Sequence, residues 1–233
     1  RRTWGPGDVL AEGRGLIEYD RRKPLIFTHL PKTAGTSVRA VFEGWFGDNL
    51  RHHYGQPPER HDVEALHSPE HPLVLYGHFN GGRNLAAWEH YPQIDQFVTI
   101  LRDPWERHLS LYFFAKRRQS WKNYSHFKSI GTPEEFLQGE ETNFHNFFPE
   151  PLTRENFRDV IESRFVEIGI VEQLQASLAR ISDRLGVPFD PGQVPHVNAE
   201  PREEEIPTWL KDRFRGIHAL EYEVYDYVRE TYE

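Results

Sequence analysis

Lys, Gly and hydroxyl side chains follow the first apolar segment of this sequence, and residues of these types can bind a phosphate group. Residues 25–30 are short and mostly apolar, as expected for a buried parallel strand. An apolar stripe with the spacing of a helix then covers residues 38–46. Between the two, Lys32 supplies a mobile positive charge, and Gly35 permits a close approach of the backbone to a bound phosphate.

The start of this helix completes the predicted anion site. The first backbone amides of a helix have no partner inside the helix, and the helix dipole is positive there. Thr36 or Ser37 can cap these amides. The Walker A phosphate loop places its Lys after the second Gly, whereas Lys32 precedes Gly35, so that motif is excluded. An ordinary strand-to-helix turn, capped in the same way but without a ligand, remains the alternative.

Two further chemical groups directly follow predicted strands. His78 follows the apolar residues 73–77, and Arg102 follows residues 96–101. These positions share the carboxyl edge of a parallel sheet, so we expect Lys32, His78 and Arg102 to converge on one crevice. His78 is the candidate general base, because imidazole has an ordinary pKa of about 6.5 and can take a proton from a hydroxyl. The alternative is a half-buried histidine that bonds a backbone carbonyl, since the chain contains 13 His residues.

Arg102 is also expected to share a ligand with Ser110, which lies two turns into the following helix. Arginine offers a planar charged fork and serine a small hydroxyl donor, and both suit a phosphate. The alternative for Arg102 is a structural ion pair with Asp103 or Glu106.

These two segments together resemble the nucleotide-binding motifs of sulfotransferases that use 3′-phosphoadenosine-5′-phosphosulfate. Residues 31–37, Pro-Lys-Thr-Ala-Gly-Thr-Ser, resemble the 5′-phosphosulfate loop of the heparan sulfate 2-O-sulfotransferase and related carbohydrate enzymes. Residues 102–112 resemble their 3′-phosphate motif, with matching Arg, Asp, Pro, Arg, Ser and Tyr. The resemblance implies a P-loop-nucleotide-kinase-like sulfotransferase fold, and sulfuryl transfer to an acceptor hydroxyl that releases 3′-phosphoadenosine-5′-phosphate.

The resemblance also implies roles for individual residues. The residues expected to bind the 5′-phosphosulfate are Lys32, Thr33, Ala34, Gly35, Thr36 and Ser37. Arg102 and Ser110 are expected to bind the 3′-phosphate, and His78 is the expected catalytic base. Lys32 is also expected to act in catalysis, by neutralising charge on the departing phosphate oxygen. No metal is expected. The late loop of the family is matched at residues 195–198, but Ala-Glu-Pro-Arg follows where Ser or Lys is usual.

Alternating strands and helices predict an α/β fold with a central parallel sheet flanked by helices. Helices are expected at residues 85–91, from 104, and at 133–138, 154–163 and 174–185, with a further strand at 165–170. Residues 1–23 form an irregular leader, residues 47–72 an irregular connection, and residues 207–233 a helical segment broken near Gly216. No linker divides the chain, so we expect a single domain over residues 1–233.

Composition and charge exclude several classes of function. The net charge of -8 argues against a nucleic-acid partner. No apolar run reaches the roughly 18 residues of a membrane span. The sequence has no Cys, which favours a cytoplasmic protein, and no Met, which predicts that it is part of a longer chain. The histidines of residues 47–72 include no H-x-x-x-H pair on a helix with a carboxylate partner, so no metal site is expected.

The expected acceptor is a carbohydrate hydroxyl. Residues 115–128 carry five Lys or Arg residues and no Asp or Glu, so they could steer an anionic glycan to the site, although a solvated face is the alternative. Two other functions remain open, a phosphoryl transferase that requires Mg²⁺ and a nucleotide-binding module without catalysis. Formation of a sulfated product distinguishes the three.

Overall fold

The apolar segments of the sequence form short strands that lie side by side at the centre of the molecule. The computed structural model describes residues 15–54, 60–118, 131–137, 143–195 and 205–232. The strands are β1 (Leu25–Thr28), β2 (Leu50–His53), β3 (Val74–Gly77), β4 (Phe97–Leu101) and β5 (Phe165–Ile170). They form one parallel sheet in the order β2-β3-β1-β4-β5. The end of β1 is therefore flanked by the ends of β3 and β4.

Helices connect the strands and follow the last of them. The helices of the described residues are α1 (Gly35–Phe46), α2 (Val63–Leu66), α3 (Ala87–His90), α4 (Pro104–Arg118), α5 (Pro133–Leu137), α6 (Phe157–Arg164), α7 (Leu174–Leu185), α8 (Thr208–Ile217) and α9 (Ala219–Tyr232).

Both faces of the sheet are covered, which explains why β1, β3, β4 and β5 are buried along their whole length. One face packs against α1 and α7, through side chains such as Phe42 and Ile181. The other face packs against α6 and α9, through side chains such as Ile161 and Val224. A separate apolar cluster joins α4, α5 and α8 around Phe214.

The predicted fold class, an α/β protein with a central parallel sheet flanked by helices, is confirmed. β5 and α7 have the predicted bounds, and the last helical segment is broken at His218, next to the predicted position. The prediction of an irregular connection over residues 47–72 was wrong, because β2 and α2 lie within it. β2 was missed because it is an edge strand in which only the two end residues are buried, so the apolar signal is weak.

The described part of the predicted leader, residues 15–23, contains no helix or strand, as expected. Leu16 is nevertheless buried, and the amide of Ile17 donates to the carbonyl of Phe165, so this segment is held against β5. Residues 1–14 lie outside the described residues. Within the described ranges, every helix is too short or too polar to cross a bilayer.

Candidate active site

Three neighbouring strand ends bring the predicted site residues together. In the sheet register, Thr28 of β1 lies opposite Gly77 of β3 and Thr99 of β4. His78 therefore follows β3 beside the residues that follow β1, and its Nδ1 lies 2.7 Å from the carbonyl oxygen of His29. On the other side, Nη1 of Arg102 donates to the carbonyl oxygen of Lys32 at 3.2 Å. The expected convergence of Lys32, His78 and Arg102 at the carboxyl edge is thus present.

The loop between β1 and α1 has an unusual backbone. Lys32 and Ala34 both have positive φ, at 71° and 58°, in the left-handed region that few residues other than glycine adopt. Such strain persists where the surrounding structure imposes it, and it is common at ligand sites. The hydroxyl of buried Thr33 donates to the carbonyl of Leu30 at 2.9 Å and braces the turn.

The prediction that Thr36 or Ser37 caps α1 was wrong. Ala34 precedes the first helical residue, and no side chain caps the helix there. Thr36 is exposed. Ser37 is buried, and its hydroxyl donates instead to the carbonyl of Pro195 at 2.9 Å. The first amides of α1 therefore lack a side-chain acceptor, so a bound anion can serve as one.

Gly35 and Gly77 occupy positions where the packing leaves no room for a side chain. A Cβ atom on Gly35 would lie 1.9 Å from Nε2 of His29, so the imidazole fills the space where a larger residue would have its side chain. A Cβ atom on Gly77 would lie 2.1 Å from the carbonyl oxygen of His53, on the adjacent strand. Packing thus excludes a side chain at both positions, and the close approach of a phosphate to the Gly35 backbone stays a prediction.

Lys32 lies in a cluster of positive charge. Its Nζ lies 4.2 Å from the centre of the Phe114 ring. Burial, together with the charges of Arg102, Arg117 and Arg118, lowers the pKa of Lys32 to about 8. A cluster of positive charges that repel one another is stabilised by a bound anion.

Arg102 lies just before α4, and Ser110 lies two turns into that helix. The guanidinium of Arg102 lies 3.9 Å from the Glu106 carboxylate, so the predicted alternative of an ion pair is present as a long contact. Ser110 lies one turn before Phe114 on α4, on the face that carries Phe114 towards Lys32. No hydrogen bond of the described residues joins Ser110 to Arg102, so their shared role stays a prediction.

Arg107, which the resemblance included in the 3′-phosphate motif, is buried away from the cluster. Its Nε and Nη2 donate to the two carboxylate oxygens of Glu221 at 2.6 and 2.8 Å. Arg107 and Glu221 are both buried. Burial acts to raise the pKa of Glu221, but the charge of Arg107 lowers it to about 2. Arg107 therefore ties α4 to α9.

The same pair bears on metal binding. His108, His218 and Glu221 place ligand atoms within 4.8 Å of one another. Nη2 of Arg107, however, lies 2.8 Å from both the Glu221 carboxylate and Nε2 of His108. A positive group already stands between these atoms, and it opposes the entry of a second cation. The expectation of no metal stays a prediction.

His78 has the geometry of a base. A carbonyl can only accept, so Nδ1 of His78 carries the proton and donates to His29, which leaves Nε2 with its lone pair. Among the described residues, no atom forms a hydrogen bond with this Nε2. Burial lowers the pKa of His78 below 6.5, partly offset by the bond to His29, and the charge of Arg83 adds to the lowering. The expected pKa near 6.5 is corrected in this direction.

Two aromatic residues that the sequence did not single out complete the site. The ring of Tyr54, directly after β2, stands edge-on to His78 with ring centres 4.8 Å apart. Phe114 supports Lys32 from α4. Neither lies in a motif, and only the spacing of Phe114 one turn after Ser110 could have indicated that it faces the loop.

Two other predicted features lie partly outside the described residues. The basic segment 115–128 is described only to Arg118, and the late loop at 195–198 only at Pro195.

Comparisons with known proteins were made for sequence and for fold. No family model matches the sequence, and no curated protein matches it. One solved structure with a similar fold is the crystal structure of mouse sulfotransferase SULT7A1 complexed with PAP, at 14% sequence identity and a TM-score of 0.42. The likeness covers 74% of this chain and 61% of the mouse chain, so this chain spans less than two thirds of that protein.

Proposed function

We propose that this protein is a sulfotransferase that moves a sulfuryl group from 3′-phosphoadenosine-5′-phosphosulfate to a hydroxyl of a carbohydrate. The observation that carries the proposal is the meeting of a base and a cationic cluster at one edge of the sheet. His78 presents an unprotonated Nε2, and Lys32 and Arg102 lie at the next two strand ends. The two motifs of the sequence, at 31–37 and 102–112, contribute these cations.

The donor nucleotide binds across the ends of β1 and β4 in this proposal. Residues 32–37 surround its 5′-phosphosulfate, with the open amides of α1 and the charge of Lys32 as the attractive groups. Arg102 and Ser110 bind its 3′-phosphate, because a guanidinium and a hydroxyl are suitable donors to one phosphate. Phosphate oxygens also relieve the mutual repulsion of Lys32 and Arg102.

The reaction needs one proton transfer and one transfer of a sulfuryl group. Nε2 of His78 takes the hydroxyl proton while the acceptor oxygen forms its bond to sulfur. The bond between sulfur and the 5′-phosphate oxygen breaks, and its electron pair stays on that oxygen. Lys32 neutralises the charge that develops there, and 3′-phosphoadenosine-5′-phosphate leaves. A low pKa of His78 keeps the base unprotonated at neutral pH.

Positive charges near His78 and near Lys32 support an anionic glycan as acceptor. Arg83 is exposed and lies close enough to lower the pKa of His78. Arg117 and Arg118 act in the same way on Lys32. Such charges attract a polyanion towards the edge of the sheet at low ionic strength.

Transfer of labelled sulfate is the direct test. The protein is incubated with radiolabelled 3′-phosphoadenosine-5′-phosphosulfate and either a uronic-acid polysaccharide or a neutral polysaccharide, and label in the polymer is counted. The proposal expects label in the acidic polymer and its loss in His78→Ala. Transfer of phosphate from ATP with Mg²⁺ instead would identify a phosphoryl transferase. Tight binding of the nucleotide without transfer to any acceptor would identify a binding module.

A further inference from the structure

His29 contacts several parts of the candidate site at once. Its carbonyl oxygen accepts from Nδ1 of His78 at 2.7 Å, and its imidazole stacks on that of His78 with ring centres 4.6 Å apart and planes 22° from parallel. Its Nδ1 lies 2.8 Å from the hydroxyl of Tyr54. Its opposite edge fills the space beside Gly35, where α1 begins.

We infer that His29 is a positioning residue that fixes the base His78 against the start of the anion-binding helix. This inference rests on the proposed function for the role of His78, although the contacts themselves do not. The carbonyl of His29 selects the tautomer of His78, and the stacked ring limits rotation of the imidazole. The contact between the His29 imidazole and Gly35 sets the distance between the His29 ring and the first turn of α1. One side chain thus determines where the proton acceptor lies relative to the anion site.

The chemistry of His29 suits positioning rather than proton transfer. Burial lowers the pKa of His29 well below 6.5, so the ring stays neutral. The buried Nε2 of His29 has no hydrogen-bond partner among the described residues, which is unfavourable for folding and calls for an explanation. A phenyl ring would avoid that cost but would lose the bond to Tyr54. The imidazole is therefore the side chain that stacks on His78 and also holds Tyr54, whose ring stands edge-on to the base.

The steric part of the inference is tested by a double-mutant cycle that needs no activity. Gly35→Ala, His29→Ala and the double variant are compared by melting temperature and by affinity for 3′-phosphoadenosine-5′-phosphate. In the presence of His29 the new methyl group has no space, so Gly35→Ala should lower the melting temperature clearly and weaken affinity by about tenfold or more. In the His29→Ala background, Gly35→Ala should lower the melting temperature and the affinity much less. An equal cost in both backgrounds would overturn the inference.

The effect on the base is read by ¹⁵N NMR of histidine in the full chain. In the wild type, His78 should show the tautomer with the proton on Nδ1 throughout the neutral range. His29→Ala removes the stacked ring and the anchor of Tyr54, so water reaches His78 and its pKa should rise towards the ordinary value. His29→Phe keeps the stacked ring and should keep most of the lowered pKa. The tautomer should be kept in His29→Ala, because the backbone carbonyl that accepts from Nδ1 remains, whereas an unchanged pKa of His78 would count against positioning.

Turnover completes the test, with a histidine on the edge strand β2 as the matched control. His29→Ala should lower kcat by about tenfold to a hundredfold, since small displacements of a catalytic group have effects of this size. His29→Phe should recover part of the loss. His52→Ala should leave kcat unchanged, because that ring is 42% exposed and pairs with Glu43. If wild-type protein transfers no sulfate, the proposed function fails, while the double-mutant cycle still decides whether His29 positions the helix.

Discussion

The pKa of Lys32 gives a prediction that can be tested without knowing the acceptor. Burial and three neighbouring arginines lower this pKa to about 8. The lysine therefore loses its charge in a range where an ordinary lysine, with a pKa of about 10.4, keeps it. If Lys32 binds the 5′-phosphate, affinity for 3′-phosphoadenosine-5′-phosphate must fall as the pH rises through about 8.

The size of the fall follows from the fraction of charged lysine. About one pH unit above a pKa, roughly a tenth of the groups remain protonated, so the affinity at about pH 9 should be about tenfold below its plateau at about pH 7. The phosphates of the nucleotide are already ionised in this range, since their second pKa is about 6. A lysine with its ordinary pKa would give less than about a twofold change over the same interval.

Isothermal titration calorimetry between about pH 7 and about pH 10 measures this dependence. Lys32→Arg keeps its charge throughout, so its affinity should stay level where that of the wild type falls. Lys23→Arg is the matched control and should behave as the wild type, because Lys23 is about half exposed, precedes β1 at the opposite end and pairs with Asp95. A wild-type affinity that is constant over this range, or a fall that persists in Lys32→Arg, would refute the assignment.

The contribution of Arg102 to this pKa can be measured in the same experiment. Its positive charge is the largest of the charge effects on Lys32, after burial. Arg102→Gln should therefore move the fall in affinity to higher pH, in addition to weakening binding at every pH. A fall at the same pH as in the wild type would show that Arg102 does not contribute to the lowered pKa of Lys32.

A helix or strand could be predicted from the sequence where its own residues show a clear apolar pattern. β5 and α7 were predicted with their observed bounds, because a fully buried strand and a strongly amphipathic helix are visible within one segment. β2 has no such signal, since Arg51 and His52 at its centre are not buried. Its place at the edge of the sheet depends on pairing with β3, which lies about twenty residues further along the chain.

For the site, strand ends were predictable and side-chain packing was not. Lys32, His78 and Arg102 were placed together because parallel strands present their carboxyl ends at one edge. The reason for Gly35 could not be read from the sequence, because the atom that excludes a side chain there belongs to His29. The same limit applies to Arg107, whose partner Glu221 lies in the last helix, more than a hundred residues away. A motif position that resembles a ligand contact can therefore be a packing contact.

Three further predictions concern the base, the 3′-phosphate site and the buried ion pair. His78→Ala should lower the sulfation rate by about 10² to 10⁴-fold with nucleotide affinity and melting temperature close to wild type, and an active variant would remove His78 from the reaction. Arg102→Ala should weaken binding of 3′-phosphoadenosine-5′-phosphate by about 1.5–3 kcal/mol but hardly affect adenosine 5′-phosphosulfate, and calorimetry showing equal losses would contradict a 3′-phosphate contact. Glu221→Gln leaves the buried Arg107 without its charged partner, so it should cost about 3–5 kcal/mol, or a melting temperature lower by about 6–20 °C. Because the folded-state pKa of Glu221 is lowered from 4.5 to about 2, its contribution to stability is complete above pH 4.5 and is lost as the pH falls towards 2. The difference in melting temperature between wild type and Glu221→Gln should therefore shrink on acidification, and a difference that stays constant would mean that the carboxylate charge is not what stabilises the contact between α4 and α9.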